Sequence, residues 1–206
     1  MIIAFFIIVL IFSVIIHEIS HGYIALMLGD KTALLAGRLT LNPLKHIDLF
    51  GSILLPLILA ISGAPVFGWA KPVPYNPMFL KNPKKASGLI AVAGPASNLL
   101  VAGVFGLLVR LVVQFPGLGF SDNLFLMLNM IVLVNISLAV FNLLPVPPLD
   151  GSGVLFSLLP YRYAYIENLL RQYGMFILIL ILITGASFIS PVISGLHKLL
   201  TGVSFF

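Results

Sequence analysis

SVIIHEISHGYIA, residues Ser13–Ala25, is the stretch whose reading decides the fold. It continues an apolar run that starts at Ile2 and holds no charged residue before Glu18. His17 and His21 stand four apart, so on a helix they share one face and can point at one ion. Glu18 is their neighbour. His-Glu-x-x-His on a helix supplies two metal ligands and a general base. The chain has four histidines and two glutamates in all. A shuffle of that composition gives the pattern roughly once in a thousand chains. The plainer alternative is a pair of core histidines satisfied by backbone carbonyls. Against it, ionisable groups inside a membrane helix cost several kcal/mol and usually mark function.

Composition supports a membrane setting. Of 206 residues, 60% are hydrophobic and 8% charged, where a soluble domain carries about a quarter charged residues. Ile2–Ile16, Ala86–Val109 and Leu124–Leu144 are uncharged, and a spanning helix needs about 20 mostly apolar residues. The net charge of +5 comes from basic residues scattered over loops, a pattern of topology and not of nucleic-acid binding. There is no cysteine, which excludes thiolate metal sites, disulfides and cysteine nucleophiles. The first apolar run has no basic residue before it and no small-x-small site after it, so it reads as part of the mature protein.

The pattern predicts a first helix from Ile2 to about Leu28, stopped by Gly29-Asp30. LAGRLTLNP, Leu35–Pro43, alternates imperfectly and predicts a small membrane-associated β-hairpin with a turn at Gly37. Leu49–Ile61 is apolar but spans only about 20 Å as a helix, short of the ~30 Å hydrocarbon core, and predicts a re-entrant or partial helix. PVFGWAKPVPYNP has four prolines in 13 residues and cannot form a long helix. Helices are predicted over about Ala86–Phe115 and Leu124–Leu144, then a short one over Ser152–Leu159. An amphipathic stretch, YRYAYIENLLRQY, leads into a last span near Gly174–Ile189, and the tail after Pro191 reads as interfacial. The expected fold class is thus an all-α polytopic membrane protein with about four full spans, a partial helix and the hairpin. It forms one domain, residues 1–206, with a core over 1–155 and a C-terminal span and tail over 161–206.

Catalytic zinc takes three protein ligands and keeps a position for water. The third ligand must come from six acidic residues. Asp30, Asp122 and Glu167 stand by loop signals or on the amphipathic stretch and read as solvated. Asp48, beside His46, reads as a polar turn. Asp150 differs. It follows an apolar helix in FNLLPVPPLDGSG, where three prolines prevent regular helix. Unwound backbone at membrane depth is tolerated only inside protein or beside a water-filled cavity. A carboxylate there needs a partner, and a divalent cation is a good one; the alternative is an N-cap for the helix that follows.

HEISH, AGPASN (Ala93–Asn98) and NLLPVPPLDG (Asn142–Gly151), with GRLTLNP and GWAKPVP, resemble the site-2 protease family of intramembrane zinc metalloproteases (peptidase family M50), in its compact prokaryotic branch. The resemblance covers most of the first 155 residues. HIDLFG departs from it slightly, lacking a proline after Asp48. No PDZ or CBS module is present. The resemblance implies His17, His21 and Asp150 as ligands of one Zn2+ per chain, Glu18 as general base, and Asn142 and Asn98 as positions facing the site. Either amide could donate to a tetrahedral oxyanion; the alternative is a helix–helix hydrogen bond worth about 1 kcal/mol. The implied activity is hydrolysis of peptide bonds within or near transmembrane segments of membrane-protein substrates, with the bilayer as the other partner and no nucleic acid. Leu35–Pro43 is the expected edge strand for an unwound substrate. The competing readings are a metal-ion transporter or channel using the same three ligands, and a catalytically silent helix-binding scaffold.

Chemistry constrains topology. The histidines and Asp150 must meet, so an even number of crossings separates Leu28 from Ala86. Nine of the eleven basic residues then fall on one side, which the positive-inside rule makes cytoplasmic. That predicts an outside N-terminus and an active site toward the cytoplasm of a prokaryotic inner membrane. The residues assign no role to His46 or His197.

Overall fold

The computed structural model describes residues 2–63, 68, 70–115, 117, 119–184 and 188–204. Its described residues form eight α-helices joined by short 3-10 or π-helical turns and irregular segments. Helix α1 spans Ile2–Met27, α2 Thr32–Leu35, α3 Leu55–Ser62, α4 Pro83–Gln114, α5 Asp122–Asn142, α6 Asp150–Leu158, α7 Ala164–Ile183 and α8 Ser190–Thr201. Among the described residues, four segments are long and apolar enough to cross a membrane: α1, α4, α5 and Tyr161–Ile183. The protein is an integral, multi-pass membrane protein.

Helix α4 is the central element and packs against α1, α5, α6 and α8. It starts where Asn82 accepts a hydrogen bond from the Lys85 N–H and Pro83 takes the first helical position, where its missing N–H costs nothing. One core cluster joins Ala102 and Val109 of α4 to Leu128, Val132 and Ile136 of α5, with Ile193, Leu196 and Leu200 of α8 against it. A second joins Ala25 at the end of α1 to Leu80, just before α4, and to Ala86 and Ile90 at its start. These two helix ends therefore lie side by side, as the crossing argument requires. A third packs Val146 and Leu149 of the proline-rich connection on Leu178 of α7.

Two expectations need correction. No β-strand occurs among the described residues, so the hairpin at Leu35–Pro43 is absent. Leu35 ends α2, Gly37 sits at φ +62° and Pro43–Lys45 is a 3-10 turn. Arg38 turns its guanidinium onto the carbonyls of Lys71 and Pro72, so side-chain donors stand where a partner strand would. Second, the last span starts well before Gly174, because YIENLLRQY continues unbroken into α7. The tail falls in α8, whose His197 and Thr201 are fully buried while Val192 and Leu199 stay exposed. Leu49–Ser62 is a π-helical turn of 6 residues followed by the 8 residues of α3. Its ~21 Å at about 1.5 Å per residue makes it a partial helix.

Candidate active site

Helix α1 carries Ser13 near its middle and His17, Glu18 and His21 along its C-terminal half. His17 lies ten residues from Met27, about 15 Å along the axis, and so deep within the span. Asp150 reaches it from the start of α6. The proline-rich connection ends regular helix after α5, and Gly151 lets the chain fold back. A Cβ at Gly151 would stand 2.2 Å from the Leu143 carbonyl oxygen. Asp150 is not a cap: Leu149 holds the N-cap position and no side chain caps the helix.

Nε2 of His17 and of His21 lie 2.9 and 3.3 Å from Asp150 Oδ2, and the three candidate ligand atoms all fall within 4.8 Å of one another. The far side of each ring explains what these atoms can be. His21 Nδ1 stands 2.6 Å from the Ile90 carbonyl oxygen, which can only accept, so Nδ1 carries the proton. His17 Nδ1 stands 2.6 Å from Asn98 Oδ1. The Asn98 amide is oriented by its Nδ2, which donates to the Ser13 carbonyl at 3.2 Å and to Asn135 Oδ1 at 2.9 Å. His17 Nδ1 is therefore also the protonated nitrogen. In the neutral rings both Nε2 atoms present bare lone pairs. They face a carboxylate oxygen that is itself buried and without a hydrogen-bond partner. The short distances are approach without hydrogen-bond geometry. Three acceptors converging on one point match a cation.

The space for an ion comes from Gly94 of α4. A Cβ there would sit 2.5 Å from Nε2 of both histidines. Two imidazole nitrogens and a carboxylate oxygen are a donor set suited to zinc, with a position left open as a catalytic site needs. The residues present fit the ion.

Glu18 Oε2 accepts the Val73 N–H at 2.9 Å. Val73 lies in the segment GWAKPVP, of which Gly68, Ala70, Pro72 and Val73 line a cavity of about 1060 Å³ together with His17, Glu18, His21, Asn142 and Asp150. Trp69 of that motif lies outside the described residues. Asn142 donates one amide hydrogen to the Leu138 carbonyl at 2.9 Å. Asn98 is fully buried, and both its amide hydrogens are taken by Ser13 and Asn135. It has none left for an oxyanion, and the expected donor role there is replaced by contact with His17.

Asp30 overturns its expectation as a solvated residue. It is fully buried and accepts from Thr32 N–H, Thr32 Oγ1–H and Asn76 N–H at 2.9, 2.5 and 2.6 Å. Burial pushes its carboxyl up, but these donors outweigh it and hold it below the usual carboxylate range. Asp48 accepts from Gly51 N–H at the π-helical turn, and Glu167 pairs with Arg171 on the exposed side of α7. Sequence reasoning missed Ser13, Asn135, Arg38 and Val73. Asn135, a lone amide in an apolar helix, carried a usable signal; a backbone N–H such as that of Val73 carries none.

Such a donor set beside a glutamate, inside a bundle of membrane-spanning helices, defines a membrane metalloprotease. The family model of peptidase family M50 matches residues 5–119 and 119–183. The chain is 38% identical over 184 residues to YwhC of Bacillus subtilis (strain 168), covering 87% of itself and 80% of that protein. It is 32% identical over 184 residues to Rip2 of Mycolicibacterium smegmatis, covering 84% of itself and 64% of Rip2. Against MJ0392 of Methanocaldococcus jannaschii it is 28% identical over 161 residues, 78% of this chain and 36% of that one. The names of all three contain the words zinc metalloprotease. No solved structure matches. The chain belongs to peptidase family M50, the site-2 protease family, and is a zinc-dependent protease. Membership answers the transporter and scaffold readings in favour of the enzyme.

Proposed function

We propose that the protein cuts membrane-protein substrates within or next to a transmembrane segment. The observation that carries this reading is the depth of the donor set. His17 and His21 stand about 15 and about 9 Å from the end of a spanning helix and meet Asp150 there, beside a cavity walled by α1, α4, α5, α6 and α7. A scissile bond must come to that depth, and a substrate helix must unwind locally to present it.

His17, His21 and Asp150 would hold the ion. Zinc, when bound, supplies a Lewis acid that polarises a carbonyl and lowers the pKa of water. Glu18 accepts a proton from the attacking water as its oxygen bonds to the carbonyl carbon, and then gives that proton to the amine nitrogen as the tetrahedral species collapses and the C–N bond breaks. Asn142 lines the cavity and offers an amide N–H to the developing oxyanion. Asn98 fixes the ring of His17. The cytoplasmic side of a prokaryotic plasma membrane is the proposed location of the site, from the charge distribution over the loops.

Co-expression with single-span reporter proteins tests the reading. Wild type should release a fragment whose new terminus maps within or next to the reporter's transmembrane segment, and Glu18→Gln should release none. Cleavage confined to soluble loops would contradict it.

A further inference from the structure

Two sequence motifs, GRLTLNP and GWAKPVP, lie outside the zinc chemistry, and the structure joins them. Lys71–Asn76 forms a strap over the C-terminal half of α1. Its start is held by the Lys71 N–H on the His46 carbonyl at 2.9 Å. Its middle is held by Arg38, a buried residue whose Nη2 donates to the carbonyls of Lys71 and Pro72, both at 3.1 Å. Its far end is held by the Asn76 N–H on Asp30 Oδ2 at 2.6 Å.

Between these anchors the strap makes one contact with the chemistry, the Val73 N–H on Glu18 Oε2. Pro72 and Pro74 flank Val73 and have no N–H to give. Across these three residues the backbone thus has a single donor, and Glu18 takes it. This segment has no spare ladder donor there for an incoming strand; it is a clamp and not an edge. The seat is equally specific. Gly22 follows His21 directly, and a Cβ there would stand 2.7 Å from Val73 Cγ1 and 2.6 Å from Leu39 Cδ2. The strap therefore rests against the α1 backbone one residue past the second histidine.

We propose that Arg38 and Asp30 are positioning residues for Glu18: they fix the strap so that the Val73 N–H holds one carboxylate oxygen while the other serves the reaction. This rests on Glu18 being the general base. A buried cation and a buried anion are costly to keep in a membrane protein, and their shared partner is this one segment. Holding a base to its working geometry is worth much, since a misplacement of about 1 Å can cost about 10²-fold in rate.

Hydrogen exchange of the strap, read by mass spectrometry on the purified full chain alongside zinc content, tests the proposal without a substrate. Arg38→Ala should speed exchange in the peptide spanning residues 70–76 at least about tenfold while zinc stays at the wild-type level. Arg38→Lys should restore part of the protection. On a reporter that wild type cuts, Arg38→Ala should lower kcat by about 10²-fold with KM little changed. Val73→Pro, which removes the N–H donor and exchanges the valine side chain for a ring, should lower kcat similarly, while Val73→Ala, which keeps the N–H, should not; the pair serves if Arg38→Ala does not fold. Unchanged strap exchange in Arg38→Ala, or full kcat in Val73→Pro, would overturn the proposal. Cleavage by Glu18→Gln would instead remove Glu18 as base and leave the strap measurements standing.

Discussion

Asn98 Oδ1 lies 2.6 Å from Nδ1 of His17, a residue 81 positions earlier in the chain. That contact turns an apolar-helix asparagine into part of a metal site. Asn98 is held in turn by Ser13 and Asn135, and Asn135 Nδ2 donates to Ser13 Oγ at 2.9 Å. Partners that hold a ligating histidine typically contribute 10–100-fold to metal affinity. Asn98→Ala should weaken zinc binding by about that factor, and Asn135→Leu by a smaller one. Competition with a chromogenic chelator measures it. Wild-type affinity in Asn98→Ala would show that the amide does not orient His17.

Gly94→Ala should be more severe than its size suggests. The added methyl would stand 2.5 Å from both Nε2 atoms, in the space the ion requires. The expected outcome is a folded protein with little zinc and no proteolysis. Retention of full zinc would mean that α4 can shift away from α1.

Asp30 predicts a pH dependence of the strap. Its carboxyl is held below the usual range, so the folded state binds its proton less readily than the unfolded chain. The stabilisation is complete above the unfolded value of about 3.9 and is lost as pH falls through the lower folded value. Protection of the amides in residues 70–76, taken relative to their intrinsic exchange rates, should fall below about pH 4, and Asp30→Asn should already be less protected at neutral pH. An identical acid response in Asp30→Asn would contradict the assignment.

His197 predicts a second dependence, far from the chemistry. It is fully buried in α8, with Nε2 3.0 Å from Asn129 Oδ1 and Thr201 Oγ1 3.4 Å from Nδ1. Burial holds its pKa below the ordinary histidine value, against a smaller opposing effect from the backbone at Val203. Neutral His197 is the folded form, so α8 docking is strongest above about pH 6.5 and weakens as pH falls below it. Protection of the amides over residues 190–204, taken relative to their intrinsic exchange rates, should fall between about pH 7 and 5, while His197→Gln should lose most of that response.

Much of this site was legible before any coordinates. His17, Glu18 and His21 follow from a short-range spacing on one helix, and Asp150 from a carboxylate in prolines that forbid helix. The hairpin at Leu35–Pro43 failed because alternation reports only a pleated preference, while Arg38 there bonds to carbonyls 33 and 34 residues away. Asp30 was misread because a loop signal says nothing about burial; only the return of Asn76 encloses it. Asn98 pointed to the site but not to its role, which depends on Ser13 and Asn135 occupying both amide hydrogens. The last span began early because no helix breaker stands between Tyr165 and Gly174.

The adjacency of the α1 and α4 ends, through Ala25, Ala86 and Ile90, predicts one more result. Single cysteines replacing Lys31 and Lys84 in this cysteine-free chain should label from the same side of the membrane with an impermeant thiol reagent. Labelling from opposite sides would make Leu49–Ser62 a true crossing.

The measurement that bears most directly on the account is zinc stoichiometry by elemental analysis of the purified protein, wild type beside His17→Ala, His21→Ala, Asp150→Ala and Glu18→Gln. The account predicts about one zinc per chain in wild type and Glu18→Gln, its loss in both histidine variants, and at most a residue of it in Asp150→Ala. Full zinc in His17→Ala would contradict the assignment of His17, His21 and Asp150 as the metal's ligands.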